Sequence, residues 1–116
     1  MKIPSVKRPP QLTADGDVEG ALAAPRFLLF KRSLVCPVSD AAFSEYEAFA
    51  AAHPDVPTAW IDVIGSRPLA RRIAEATGVR HESPQALWLR DGRVAWHASH
   101  GAITRNSLAD AAGVGD

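Results

Sequence analysis

Phe27-Leu28-Leu29-Phe30-Lys31-Arg32-Ser33-Leu34-Val35-Cys36-Pro37-Val38-Ser39 is the stretch that decides the fold. Its first four residues form a continuous apolar run of strand length just after Pro25, the pattern of a strand covered on both faces. The composition then turns to Ala, Glu, Ser and aromatics, and Val38, Ala42, Tyr46 and Phe49 are spaced to share one helical face, which predicts a helix from Pro37 that ends at His53-Pro54. Cys36 falls at the N-cap and proline at N1, where its missing N–H costs little. Downstream, Ala59-Trp60-Ile61-Asp62-Val63-Ile64 reads as a second buried strand, rich in β-branched and aromatic residues. Strand, helix and strand together make a crossover unit.

Working outward, Ser66 is a helix cap, Pro68 lies in the first turn, and Leu69, Ile73 and Ala76 hold one apolar face before Gly78. Arg71 and Glu75 are spaced to pair on its wet side. Gln85–Arg90 and Arg93–Ser99 flank Asp91-Gly92, a two-residue hairpin signal because both positions tolerate positive φ. Ile103 before a Thr104 cap, with Leu108 four residues beyond that cap, predicts a hydrophobic staple on a last helix that stops at Gly113. At the other end, Thr13 or Asp15 would cap a short helix through Val18, Leu22 and Ala23. The expected fold is α/β: a thioredoxin-like β-α-β-α-β-β-α core with a four-stranded mixed sheet, right-handed crossover and an extra N-terminal helix. Residues 1–10 read as a polar, proline-stiffened tail, and residues 11–116 as one domain.

Composition narrows the function. At 116 residues the chain suits one domain with its own core. Thirteen basic residues balance thirteen acidic ones, so no global field draws it to nucleic acid or an anionic membrane, and no apolar run approaches the ~20 residues of a membrane span. No apolar signal segment follows the basic start, which leads us to expect a soluble, cytoplasmic protein. The single cysteine excludes an internal disulfide, a CxxC zinc site and a dithiol redox centre together.

That cysteine is the focus of the chemistry. An N-cap side chain faces the unpaired N–H groups of N2 and N3, here Val38 and Ser39, and the positive end of the helix dipole. These favour thiolate over thiol, and thiolate is the form that attacks a disulfide. The Ser39 hydroxyl is a further donor one turn inside the helix. Lys31 and Arg32 add positive charge, but strand alternation lets only one face the site; Lys31 is the residue assigned to that role. In the plainer reading Cys36 is a small buried hydrophobe, Ser39 an ordinary early-turn residue, and both cations are solvated. Ser83-Pro84, just ahead of the hairpin, is placed to offer backbone hydrogen bonds to an extended substrate. His53, His81, His97 and His100 match no zinc-ligand spacing, so no metal site is expected. Asp62 and Glu82 are isolated carboxylates, and Trp60, Trp88 and Trp96 belong first to the core.

Four separated segments carry a family resemblance: Phe30 to Ser39, Asp62-Val63-Ile64-Gly65-Ser66-Arg67-Pro68, Gly78-Val79-Arg80-His81-Glu82-Ser83-Pro84-Gln85, and Trp96 to Thr104. In order, from about Leu12 to Ala112, the chain resembles the YtxJ-type monothiol bacilliredoxin family. Val35 departs from the threonine often found before the cysteine, and Arg32 from a histidine. The resemblance implies a thioredoxin-like fold, membership of the bacillithiol redox system, and a Cys36 that takes bacillithiol from mixed disulfides on oxidised, S-thiolated cytosolic proteins. It also implies that Ser83 and a cis Pro84 line the adjoining groove, with bacillithiol a co-substrate and no bound cofactor. Two other readings remain open at this stage: a non-catalytic thioredoxin-like module that binds proteins, and an iron–sulfur-binding protein of the monothiol glutaredoxin type.

Overall fold

A computed structural model describes residues 9–113. In chain order it contains α1 (Asp15–Ala23), β1 (Arg26–Arg32), α2 (Pro37–Ala52), β2 (Thr58–Asp62), α3 (Arg67–Thr77), β3 (Gln85–Arg90), β4 (Arg93–Ser99), one 3-10 turn (His100–Ala102) and α4 (Arg105–Ala112). The sheet order is β2-β1-β3-β4, with β1 parallel to β2 and the other two pairings antiparallel. β1 is therefore central, as its unbroken apolar run requires.

Alternation along β1 divides the core. Leu28 and Phe30 point to the face covered by α2 and α4, where they pack with Phe43, Tyr46, Phe49, Trp88 and Leu108. Leu29 points to the opposite face and packs with Val18, Ile61, Leu69, Ile73 and Leu87 beneath α1 and α3. Polar links tie the first layer together. The Thr58 hydroxyl donates to the Leu28 carbonyl at 2.7 Å, which leaves its oxygen to accept from Tyr46 Oη, also at 2.7 Å. The staple on α4 forms as expected: Ile103 and Leu108 are buried, and Thr104 and Ser107 exchange reciprocal hydrogen bonds of 3.0 and 2.9 Å.

Several expectations shift. The cap of α1 is Ala14, not Thr13 or Asp15; the Asp17 carboxylate instead reaches back to accept the N–H groups of Thr13 and Ala14. On α2, Val38 is exposed and Ser39 takes the inward position, so the buried face is rotated by one residue at its start. On α3, Ala70 rather than Ala76 completes the apolar face. No Arg71–Glu75 ion pair forms among the described residues, and Arg72 pairs with Glu19 of α1 instead. β2 stops at Asp62, whose carboxylate accepts the Ile64 N–H and turns the chain. Finally, Pro9 and Pro10 do not belong to a free tail. The Pro10 carbonyl accepts the Trp60 N–H at 3.0 Å and Leu12 N–H donates to the Trp60 carbonyl at 2.8 Å, laying this segment along the outer edge of β2. Residues 1–8 of the expected tail lie outside the described residues.

Two features of the fold yield measurable consequences. Asp91 and Gly92 have φ of 51° and 79°, and a Cβ on Gly92 would stand 2.8 Å from the Leu22 carbonyl oxygen. Gly92→Ala should thus cost about 1–2 kcal/mol from backbone conformation alone, and more from the clash, lowering the thermal midpoint by several degrees. Lys31 is 1% exposed, and burial, partly opposed by Glu82, brings its pKa from 10.5 down to about 8. Between those values the unfolded chain holds a proton that the folded chain has released, so stability rises with pH. Tyr46 acts in the opposite direction, because burial raises its pKa and the unfolded chain ionises first above about pH 10. Chemical denaturation from pH 8 to 10 should show an increase of at most about 2 kcal/mol that Lys31→Met abolishes.

Candidate active site

The carboxyl ends of β1 and β2 and the amino end of β3 meet at one edge of the domain. Val63 N–H donates to the Arg32 carbonyl at 2.9 Å, joining the β2–α3 turn to the end of β1. One residue further, Ser33 N–H donates to Ser39 Oγ at 3.2 Å, and Ser33 Oγ accepts the Val35 N–H at 3.4 Å. These two bonds fold the Ser33–Val35 link back against the first turn of α2. Cys36 follows as the N-cap, in extended conformation, with its own carbonyl accepting the Asp40 N–H.

Cys36 is partly exposed, and its pKa lies below the ordinary thiol range. The Ser39 N–H is the main cause and the Val38 N–H the second, with the Ser39 hydroxyl adding to both. The thiol makes no capping hydrogen bond; the N–H groups act on it as the aligned positive end of a 16-residue helix. Ser39 is 0% exposed, so its hydroxyl is fixed between the Ser33 N–H and the cysteine side of the turn. Asp40 opposes the effect by raising the thiol pKa.

Lys31 is not the cation of this site. β1 alternation sends it to the α3 face, where its Nζ donates to Gln85 Oε1 at 2.9 Å, and Gln85 Nε2 donates to the Arg80 carbonyl at 3.0 Å. Arg32 shares the α2 face with Phe30. Its guanidinium lies 3.7 Å from the Phe43 ring centroid and pairs with Asp40 at 3.0 Å, countering the carboxylate that works against the thiolate. The signal was available in the sequence as parity with Phe30, once α2 is known to cover that face.

The Ser83–Pro84 peptide bond is cis, and Pro84 is buried. The Pro84 carbonyl accepts the His100 N–H at 3.1 Å, which ties the loop to the 3-10 turn. Among the described residues no group takes up the backbone N–H or carbonyl of Ser83, and Ser83 Oγ is buried without a partner. The register Lys31↔Gln85↔Ser99 sets this loop beside the end of β1, the same edge from which Cys36 emerges. Around that edge stand the large apolar side chains left exposed among the described residues: Leu34, Val35 (80% exposed), Val38 and Ile64. Among the described residues no three His, Cys, Asp or Glu side chains gather as a metal site. His53 closes α2 against Phe49, and His100 lines a small cleft with Val38 and Glu45. No helix of the described chain is long and apolar enough to cross a membrane.

A solved structure described as a proposed oxidoreductase with a thioredoxin fold superposes with a TM-score of 0.83 at 31% identity, covering 89% of this chain and 92% of its own. Thioredoxin from Trypanosoma brucei brucei superposes at 0.74 with 13% identity over 91% and 92% of the two chains. A single-residue mutant of thioredoxin from Halobacterium salinarum gives 0.69 with 21% identity over 94% and 91%. These two show the shared fold. The family model for monothiol bacilliredoxin BrxC matches residues 11–108, a span that takes in the Cys36 turn, the cis Pro84 loop and the Thr104 cap. The chain belongs to the monothiol bacilliredoxin family, on a thioredoxin fold.

Proposed function

We propose that the protein is a monothiol thiol-disulfide oxidoreductase that removes bacillithiol, or another low-molecular-weight thiol, from mixed disulfides on oxidised cytosolic proteins. The observation that carries this reading is the lone thiol at the α2 N-cap, held below its ordinary pKa by the Ser39 and Val38 N–H groups, with a buried serine one turn on. Cys36 thiolate attacks the small-thiol sulfur of a protein–S–S–R adduct. The new Cys36–S–S–R bond forms as the protein–sulfur bond breaks, and the protein leaves as its thiolate. A second small thiolate then attacks R's sulfur, releases R–S–S–R and restores the Cys36 thiolate. The reducing equivalents come from the one free small thiol consumed per turnover, bacillithiol being the co-substrate, and the cycle needs no bound cofactor.

Two further features support a protein as the first substrate. The exposed apolar collar of Leu34, Val35, Val38 and Ile64 is the kind of surface that a partner covers. The unclaimed backbone groups of Ser83 suit an extended segment pairing as an added strand.

Incubating the reduced protein with bacillithiol disulfide, or with a bacillithiolated protein, should add one bacillithiol mass on Cys36 and release the partner's thiol. Loss of that adduct and of turnover in Cys36→Ser is expected; turnover that survives this substitution would defeat the proposal. The rate of Cys36 alkylation against pH should have its midpoint below the ordinary thiol range, because the depressed pKa preserves thiolate as pH falls. In Ser39→Ala the midpoint should move up only part of the way, since the hydroxyl is lost while the Ser39 and Val38 N–H groups remain.

A further inference from the structure

A cleft of about 420 Å³ lies between α3 and the loop that precedes the cis proline, lined by Val63, Ile64, Arg67, Ala70, Arg71, Ala74 and His81. That volume falls in the range of small-molecule sites. Its floor is apolar and its polar groups are two arginines and a histidine, with no carboxylate among the lining residues. Arg67 and Arg71 stand one turn apart on α3, and among the described residues neither enters an ion pair, whereas Arg26, Arg32 and Arg72 all do. The field around His81 is also positive. Burial and the nearby Lys31 ammonium both disfavour its charged form, with Glu82 only partly opposing them.

The cleft is linked to the Cys36 turn through the end of β1. Val63, on its floor, is hydrogen-bonded to the Arg32 carbonyl, and the next residue, Ser33, is bonded to Ser39 in the first turn of α2. Cys36 is four residues from Arg32, so the extended-chain limit sets them at most ~14 Å apart, and the fold-back of Ser33–Val35 shortens this. A tripeptide-sized thiol spans about 10 Å when extended. The length of such a thiol is thus comparable with the stretch of chain that separates Cys36 from the β2–α3 turn.

Resting on the thiol-exchange reading above, we infer that this cleft is the subsite for the carboxylate end of the small thiol: Arg67 and Arg71 clamp it, and Ala74 packs its carbon skeleton. Guanidinium groups one turn apart suit a carboxylate because each presents a planar fork of donors. The apolar collar at Leu34, Val35 and Val38 stays free for the protein from which the thiol is taken. The subsite thus selects for a thiol that carries negative charge remote from its sulfur.

The test measures the exchange Cys36–S⁻ + R–S–S–R → Cys36–S–S–R + R–S⁻ by mass spectrometry with three probes. Bacillithiol disulfide and glutathione disulfide carry carboxylates, and hydroxyethyl disulfide carries no charge. The double variant Arg67→Ala/Arg71→Ala should slow the two carboxylate-bearing probes about tenfold and leave hydroxyethyl disulfide within about twofold, the pattern expected from losing charge-assisted contacts. The hydroxyethyl rate also reports that the variant is folded. Arg26→Ala/Arg90→Ala removes the same net charge from the opposite end of the β1–β3 pair and should leave all three rates within about twofold, since it touches no such contact. Arg67→Lys/Arg71→Lys should recover part of the loss. Equal slowing of all probes by the α3 variant, or equal slowing by both Ala pairs, overturns the subsite. A disulfide-linked acidic peptide run as a fourth probe tests the alternative: a loss confined to it overturns the subsite and assigns the cleft to the protein partner. Failure of wild-type Cys36 to exchange with any probe overturns the thiol-exchange reading itself and is thereby distinguished from failure of the subsite alone.

Discussion

Lys31 faces Gln85 across the pairing of β1 with β3, and the hydrogen bond between their side chains holds the two halves of the site in register. Both residues are 1% exposed, so neither can turn to solvent for a substitute partner. Gln85 passes the constraint on by donating to the Arg80 carbonyl, which closes the loop carrying His81, Glu82, Ser83 and Pro84. On the other side of β1, the Arg32 carbonyl fixes the β2–α3 turn through Val63. One buried polar contact at the end of the central strand thereby sets the position of the proline loop relative to the strand that delivers Cys36.

The thiol's environment is built almost wholly from backbone. Two N–H groups and one buried hydroxyl act on it, and no lysine or histidine is required. Such dipoles are fixed by the helix and need no reorganisation when charge develops on sulfur. Asp40 is the cost of that placement, an acid in the first turn of α2, and Arg32 offsets it from the end of β1 while its guanidinium covers the Phe43 ring. The pair also pins the helix terminus to the strand. Electrostatic tuning and mechanical anchoring here come from the same contact.

Much of this arrangement was legible in the chain. β1, α2, the Asp91-Gly92 hairpin and the Ile103–Leu108 staple are local patterns with strong periodicity or turn chemistry, and they recur in the structure within a residue or two. The N-cap position of Cys36 followed from Pro37. The features that were misread depend on partners distant in sequence. Whether Lys31 or Arg32 faces α2 is a matter of parity, and parity is settled only when a helix covers one face of the sheet. Val38 and Ser39 exchange inward and outward positions because Ser39 is drawn in by the Ser33 N–H. Pro9 and Pro10 pair through their carbonyls, which accept the indole and backbone N–H groups of Trp60, and this leaves no trace in their own side-chain pattern. The α3 cleft joins Arg67 and Arg71 to a histidine ten residues beyond the second of them, and spacing of that kind carries no motif.

A sequence with one cysteine, and with Ser39 sealed where a second sulfur would be closest, cannot close a ring on itself. Any sulfur adduct on Cys36 is then discharged by a bimolecular collision and not by a unimolecular step. Its lifetime scales inversely with the concentration of free thiol in the surroundings, so the fraction of molecules carrying an adduct varies with that supply. A partner able to distinguish the adducted from the bare α2 terminus would be reading the reducing capacity of the solution.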